Sequence, residues 1–219
     1  MPCVRPKYGQ ELVCRVTVVV TGFEPYGGER VNSSALVAEL LNGRVVAGER
    51  VNGVVLPVSF RRARAVVEEL IEERPLLFLG LGLSPRSTSL KLEVVALNVA
   101  YSKRPDNDGY VARGEPIYPD GELALKTDLP IERLVERLRR EGVPVDVSFH
   151  AGTFLCNFVY YVALYRARRI GGVRAGFVHV PHATEYAVEK PQLPSLPLEL
   201  MRRGVEALIE EVLRCAQSF

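Results

Sequence analysis

Residues 143–168 read VPVDVSFHAGTFLCNFVYYVALYRAR. The run from Val143 to Phe149 is mostly apolar, which indicates a buried strand, and the run from Phe158 to Arg168 has the character of a helix. A strand that leads into a helix through a short loop is the repeating unit of parallel sheets. This stretch therefore predicts an α/β fold.

Further apolar runs extend the pattern along the chain. Strand signals fall at Val13–Thr21, Val54–Val58, Leu76–Leu81, Leu90–Ala96, Val145–Phe149 and Ala175–Val180. Apolar stripes at helical spacing occupy residues 63–71, 131–138 and 198–212. The alternation of strands and helices predicts a single domain over residues 1–219, a three-layer α/β/α sandwich with a largely parallel, mixed sheet.

The segment 101–130 interrupts this regularity. It contains turn signals at Asp106–Gly109 and Pro119–Gly121. Long irregular segments in compact domains are more often functional than idle, so we expect a functional role, with a surface excursion as the alternative.

The composition argues against several classes of partner. The 28 basic and 26 acidic residues are interspersed and give a net charge of +2, so no nucleic-acid-binding surface is indicated. No apolar run reaches the roughly 20 residues needed to cross a bilayer, and residues 1–11 lack the apolar middle of a signal peptide. We therefore expect a cytoplasmic protein without a membrane partner. Most basic residues are arginine, as in some heat-adapted proteins.

The four cysteines are Cys3, Cys14, Cys156 and Cys215. Their spacing does not resemble a metal site, so neither zinc nor another metal is expected. Cys3 and Cys215 lie near the termini, where they could cross-link chains or each other, and the sequence leaves this open.

Cys156 lies where the strand of the opening stretch gives way to the helix. A thiol at the N-terminal end of a helix is near the positive end of the helix dipole, which favours the nucleophilic thiolate. Backbone N–H groups at the same place can stabilise an oxyanion. The alternative is that Cys156 packs as a small hydrophobic residue.

A cysteine nucleophile needs a base within hydrogen-bond reach. His179 and Cys156 each follow a predicted strand at its carboxyl end, where ligands bind in open α/β sheets, so His179 is the candidate base. His182 in the following loop is interpreted as a solvated or rim residue, with the role of the base as the alternative. His150 is interpreted as a structural histidine.

Glu93 is the candidate for orienting the base. It lies in LKLEVVA, residues 90–96, and a buried carboxylate in such a run needs a partner such as an imidazolium. The alternative is that Glu93 simply alternates outward with Lys91, as on an edge strand.

The glycine-rich segment TGFEPYGG, Thr21–Gly28, directly follows the first predicted strand. It matches neither GxGxxG nor a P-loop, and it carries the aromatic residues Phe23 and Tyr26. It therefore points to a flat, weakly polar ligand rather than to phosphate, with a tight turn capped by packed aromatics as the alternative.

Together these segments resemble the pyroglutamyl peptidase I (pyrrolidone carboxyl peptidase) family of cysteine peptidases. The resemblance runs from about Val16 to the C-terminal helix, so residues 1–12 are predicted to be an N-terminal extension. The segments that carry it are Thr21–Gly28, Val31–Ser34, Leu56–Val58, Gly82–Leu83, Glu93 with Asn98, Pro105–Asn107, Ala151–Asn157 and Gly176–Pro181.

The resemblance implies removal of an N-terminal pyroglutamyl residue from peptides through a thioester acyl-enzyme. It implies Cys156 as nucleophile, His179 as general base and acid, and Glu93 as the orienting carboxylate. It further implies a fold like that of the purine nucleoside phosphorylases, a homotetramer, and no cofactor. The implied substrate-binding residues are Phe23, Tyr26, Asn32, Lys103, Phe154 and Leu155.

The chain departs from the family pattern around the ring-binding site. Lys103 stands where an arginine is usual, and Arg104 stands where an apolar residue is usual. Lysine lacks the planar fork of arginine, so contacts to an oxyanion or to substrate are expected to weaken or to pass to Arg104. Tyr26 replaces a common phenylalanine and adds a hydroxyl that needs a partner, and Ser33 replaces a proline.

Two other functions remain open at this point. One is a nucleoside phosphorylase-like enzyme, because a fold does not determine chemistry, although no convincing set of phosphate-binding residues is present. The other is a non-catalytic homologue that binds pyroglutamate but has lost turnover through the change at Lys103 and Arg104.

Overall fold

A computed structural model describes residues 18–188 and 190–216. Strands within these ranges are β1 (Val18–Phe23), β2 (Val45–Val46), β3 (Glu49–Leu56), β4 (Leu77–Leu83), β5 (Leu90–Glu93), β6 (Val95–Leu97), β7 (Ala100–Tyr101), β8 (Arg113–Glu115), β9 (Ala124–Lys126), β10 (Val145–Ser148), β11 (Arg174–Val180), β12 (His182–Ala183) and β13 (Ser195–Leu196). Helices are α1 (Ser33–Leu41), α2 (Phe60–Glu72), α3 (Ile131–Arg140), α4 (Leu155–Ile170), α5 (Thr184–Ala187) and α6 (Leu198–Ala216).

Seven strands form the central sheet in the order β10-β5-β11-β4-β1-β3-β2. Neighbouring strands are parallel except for the pairs β5–β11 and β2–β3, which are antiparallel. The predicted α/β fold with a largely parallel, mixed sheet is confirmed.

Helices cover both faces of this sheet. On β1, Val19 packs into a core with α2 and α4, whereas Val18 and Val20 pack into a second core with α1, α3 and α6. The same alternation continues on β4, where Phe78 joins the first core and Leu77 joins the second. Strands buried on both faces have no polar side to present to water, which explains their continuous apolar sequence. The helices and sheet form three layers.

The strand predicted at Leu90–Ala96 is wrong in one respect, because the chain leaves the central sheet at Val94. The amide of Val94 donates to the carbonyl of Ser148, and the carbonyl of Val94 accepts from the amide of Thr127. The chain then pairs as β6 with β9 in a separate two-stranded sheet. The residues before and after Val94 are similarly hydrophobic, so the sequence pattern does not reveal the point where the chain changes sheets.

The first predicted strand, Val13–Thr21, is observed as Val18–Phe23, and its residues 13–17 lie outside the described part of the chain. The predicted extension, Cys3 and Cys14 lie outside it as well. Within the described residues, Cys156 and Cys215 are not disulfide-bonded.

Helix α1 was not predicted from apolar periodicity, although its start has a recognisable signal. The side chain of Asn32 accepts a hydrogen bond from the amide of Ser34, as expected of an N-cap residue. Among residues 18–188 and 190–216, no helix combines the length and apolar character needed to span a bilayer.

Candidate active site

Cys156 is the second residue of α4, directly after the loop that follows β10. The amides in the first turn of a helix have no partners within the helix, so they face whatever lies beyond its N-terminus. Two contacts hold this helix start in place. Thr153 exchanges hydrogen bonds with the backbone of Tyr101, and the buried side-chain amide of Asn157 bonds the backbone of Leu97.

His179 and Glu93 come from the adjacent strands β11 and β5. The antiparallel register places Glu93 opposite Phe177 and His179 opposite Lys91, so the two side chains are diagonal neighbours on one face of the sheet. Nδ1 of His179 lies 2.7 Å from Oε1 of Glu93. Glu93 is 2% exposed and therefore does not alternate outward.

The environment of His179 favours its charged form. Burial opposes protonation of the ring, but Cys156 and Glu93 more than offset this effect and raise the pKa of His179 from 6.5 to about 9. The interactions that raise this pKa are those of the ring with the side chains of Cys156 and Glu93. Within the described residues, Oε2 of Glu93 is buried without a hydrogen-bond partner. The attraction of the imidazolium ring is therefore what mainly offsets the free-energy cost of burying this carboxylate.

Gly82 on β4 makes room for the thiol. A Cβ atom at this position would lie 2.8 Å from Sγ of Cys156 and 3.0 Å from ring atoms of Phe177. Such distances are too short for carbon and sulfur, so only glycine lets the sulfur rest on the sheet here. The sequence singled out Gly82 only as part of the family resemblance.

A pocket of about 260 Å³ opens beside Cys156. Its walls are mostly apolar and aromatic, as in sites that bind small, weakly polar groups. The residues that line it are Phe23, Tyr26, Glu29, Val31, Asn32, Val58, Leu83, Pro85, Phe154, Leu155, Cys156 and His182.

Five of the six predicted substrate-binding residues line this pocket, namely Phe23, Tyr26, Asn32, Phe154 and Leu155. Lys103 does not line it, and the side chains of Lys103 and Arg104 are exposed.

The other two histidines have distinct positions. Nδ1 of His150 accepts a hydrogen bond from the amide of Gly152 at 2.8 Å, within the loop before α4. His182 lines the pocket from β12. Of the three histidines, all of which the structure describes, His179 is the one paired with a buried carboxylate.

Several lining residues were not predicted, among them Glu29, Val58 and Pro85. Glu29 and Pro85 lie on loops that meet only in the folded chain, so no local sequence signal identifies them, and Val58 was singled out only as part of the family resemblance. The hydroxyl of Tyr26 does find a partner, because it donates to the carbonyl of Pro105 at 2.9 Å. The described residues contain no cluster of three or more His, Cys, Asp or Glu side chains that could hold a metal ion.

Comparison with known proteins identifies the relatives of this chain. Residues 16–215 match the sequence model of the pyroglutamyl peptidase family. Pyrrolidone-carboxylate peptidase 1 of Saccharolobus solfataricus is 38% identical over 200 residues, which are 90% of this chain and 94% of that protein.

Two solved structures are similar over nearly the whole fold. The pyrrolidone carboxyl peptidase from Thermococcus litoralis has a TM-score of 0.88 and 34% identity, covering 92% of this chain and 94% of that one. The pyrrolidone carboxyl peptidase from Thermus thermophilus has a TM-score of 0.82 and 37% identity, covering 88% of this chain and 98% of that one. The chain belongs to the pyroglutamyl peptidase family of cysteine peptidases.

Proposed function

We propose that this protein hydrolyses the amide bond after an N-terminal pyroglutamyl residue of peptides. Cys156 is the nucleophile, His179 the general base and acid, and Glu93 the carboxylate that orients His179. The observation that carries the proposal is a thiol at a helix N-terminus that lines an aromatic pocket and influences the pKa of a carboxylate-bound imidazole.

The reaction starts with the thiolate of Cys156 attacking the carbonyl carbon attached to the pyrrolidone ring. The negative charge that develops on the carbonyl oxygen is stabilised by the unpaired amides of the first turn of α4. His179 then donates its proton to the leaving amine, and the C–N bond breaks to give a thioester. Water, deprotonated by the now neutral His179, attacks the thioester and releases pyroglutamate and the thiolate.

The pocket suits an uncharged lactam. Pyroglutamate has no free α-amine, and the pocket walls formed by Phe23, Tyr26 and Phe154 offer flat apolar surfaces for a five-membered ring. Asn32 adds a polar contact. Its Nδ2 carries two N–H groups, of which one donates to the carbonyl of Glu24, and the other is the donor proposed for the substrate. A site that pairs the lactam N–H and C=O discriminates strongly against rings that lack them.

Lys103 has a different part in this proposal. Its side chain is exposed and lies outside the pocket lining, so any contact that it makes with the substrate or the oxyanion is as a point charge from outside the pocket. The proposal also includes a homotetramer and a cytoplasmic location, where a catalytic thiol stays reduced. Sedimentation equilibrium tests the tetramer, which has four times the 24.3-kDa mass of the chain.

Hydrolysis of a chromogenic pyroglutamyl amide tests the activity, with the prolyl amide of the same amine as the control substrate. We expect release of the amine from the pyroglutamyl compound only, because proline lacks the ring carbonyl and carries a charge. Cys156→Ala should lower the rate by about a thousandfold or more, whereas Cys215→Ala should leave it unchanged, because Cys215 is buried on α6, on the opposite face of the sheet.

Two outcomes would contradict the proposal. Pyroglutamate binding without amine release, together with alkylation of Cys156 no faster than a free thiol, would indicate the non-catalytic homologue. Activity that survives in Cys156→Ala would remove Cys156 from the mechanism.

A further inference from the structure

The segment Asp106–Asn107 makes many hydrogen bonds within the irregular region 101–130, although neither residue lines the pocket. The side chain of Asp106 is 5% exposed. Its Oδ1 accepts from the amides of Asp108 at 3.0 Å and Tyr110 at 2.9 Å, and its Oδ2 accepts from the amide of Phe60 at 3.0 Å. One buried carboxylate thus joins its own loop to the start of α2.

Phe60, the residue held by Asp106, supports one wall of the pocket from behind. Its ring meets the ring of Phe154 edge-on at a centroid distance of 5.4 Å, and it also contacts Phe158 at 5.0 Å. Phe154 in turn lines the pocket and lies 5.1 Å from the ring of Tyr26. The position of Phe154 therefore depends on the start of α2.

Asn107 and its neighbour Pro105 hold the segments that contain Tyr26 and Val58, which also line the pocket. Nδ2 of Asn107 donates to Oε1 of Glu24 at 2.8 Å, and the same Oε1 accepts from the amide of Val58 at 2.9 Å. The amide of Asn107 donates to the carbonyl of Val58 at 2.8 Å. The adjacent Pro105 accepts from the hydroxyl of Tyr26. The loops that contain Glu24 and Tyr26, Val58, and Pro105–Asn107 are therefore joined by hydrogen bonds at this one segment.

We propose that Asp106 and Asn107 are positioning residues that fix the aromatic wall formed by Tyr26 and Phe154 and thereby set the selectivity of the pocket for the five-membered lactam. They touch neither the reacting atoms nor the substrate. Their effect passes through Phe60 and Phe154 on one side and through Glu24, Val58 and Tyr26 on the other. This inference rests on the proposed peptidase activity and adds the residues that hold the aromatic wall of the pocket in position.

Because the pyrrolidone ring is held equally in the ground state and the transition state, a shift of the aromatic wall alters binding more than chemistry. The test is Asp106→Asn, assayed for KM and kcat on the chromogenic pyroglutamyl amide. Asparagine has one acceptor oxygen and an amide that repels N–H donors, so at least one of the three backbone bonds is lost. We expect KM to rise about tenfold while kcat stays within about twofold, as for the loss of a hydrogen bond to a charged group.

Asp120→Asn is the matched control. It makes the same change elsewhere in the irregular region, where the carboxylate bonds the side chains of Tyr165 and Arg169. Its KM should stay within about twofold of the unchanged protein, since neither Tyr165 nor Arg169 lines the pocket. An equal rise of KM in both variants would overturn the proposal, because the effect would then belong to general loosening of the loop.

Asn107→Ala covers the case in which Asp106→Asn does not fold, because the side chain of Asn107 is exposed and its removal leaves no buried group unpaired. It should also raise KM with little change in kcat. The rate at which iodoacetamide alkylates Cys156 should be the same in all folded variants. A fall in kcat without a change in KM, or unchanged kinetics in both Asp106→Asn and Asn107→Ala, would overturn the positioning role. Lack of activity in the unchanged protein would instead contradict the proposed function itself.

Discussion

At the scale of single residues, two buried side chains with conflicting needs stabilise each other beside Cys156. Glu93 is buried with one oxygen that has no partner among the described residues, and His179 is buried in an environment that favours its charged form. Each of these two groups is costly to bury alone as an ion, but a carboxylate and an imidazolium in contact offset much of that cost. This mutual dependence explains why a peptidase site can lie on an otherwise apolar sheet face.

The raised pKa of His179 leads to a prediction about pH. The folded protein binds the His179 proton more tightly than the unfolded chain, whose pKa is near 6.5. The stability that this proton contributes is therefore fully present below pH 6.5 and is lost as the pH rises through about 9. Activity should fall over the same range, because neutral His179 has no proton for the leaving amine.

Ring-proton NMR of His179 provides the measurement. Because Cys156 is the strongest of the influences that raise the pKa of His179, Cys156→Ala should lower this pKa, whereas Cys215→Ala should not. An unchanged titration in Cys156→Ala would mean that the sulfur and the ring do not interact.

At the scale of elements, the site is the meeting point of the carboxyl ends of β4 and β11 with the start of α4. The sequence predicted these strands, because buried strands form continuous apolar runs, and it placed the helix at residues 158–168, inside its observed range. It also predicted Cys156, His179 and Glu93 as candidates from their positions in these patterns, and their catalytic roles remain a proposal. It did not predict that the sulfur touches Gly82, since close approach between distant elements leaves no local pattern.

Gly82→Ala tests this contact. The added methyl group collides with the sulfur and with Phe177, so the thiol has to move away from its position. We expect kcat to fall about tenfold or more and the free energy of unfolding to fall by about 1–3 kcal/mol. Kinetics, alkylation of Cys156 and denaturant unfolding measure the three effects.

Gly176→Ala is the control for strain alone, because its Cβ would lie 2.3 Å from Cδ1 of Leu129 in the other core, away from the thiol. It should lower stability while kcat and the alkylation rate stay unchanged. Similar losses of kcat in both variants would show that Gly82 acts through stability and not through the sulfur.

At the scale of the whole molecule, the sheet separates a catalytic face from a supporting face. Cys156 packs with the core of α2 and α4, whereas α1, α3 and α6 form the core beneath. The three layers were predictable from hydrophobic patterning. Hydrophobic patterning did not predict the change of sheet at Val94 or the joining of three loops at Asp106 and Asn107, because these features depend on backbone hydrogen bonds and on a buried carboxylate. That residues 1–219 form a single domain remains a prediction.

Leu138→Ala tests the independence of the two faces. Leu138 is fully buried on α3 in the supporting core, and its truncation should lower the free energy of unfolding by about 2–5 kcal/mol. Denaturant unfolding measures this loss. The kcat of the folded protein should stay within about twofold, since the catalytic face keeps its contacts. A parallel fall of kcat under conditions where the variant is folded would show that the two cores act as one.

The attack of Cys156 on the pyroglutamyl carbonyl is tested most directly by trapping the intermediate. The enzyme is mixed with a pyroglutamyl ester, quenched in acid within one turnover, digested and examined by mass spectrometry. The account predicts one pyroglutamyl group bound as a thioester to Cys156, and none in Cys156→Ala. A pyroglutamyl group on another residue, or rapid amide hydrolysis by Cys156→Ala, would contradict it.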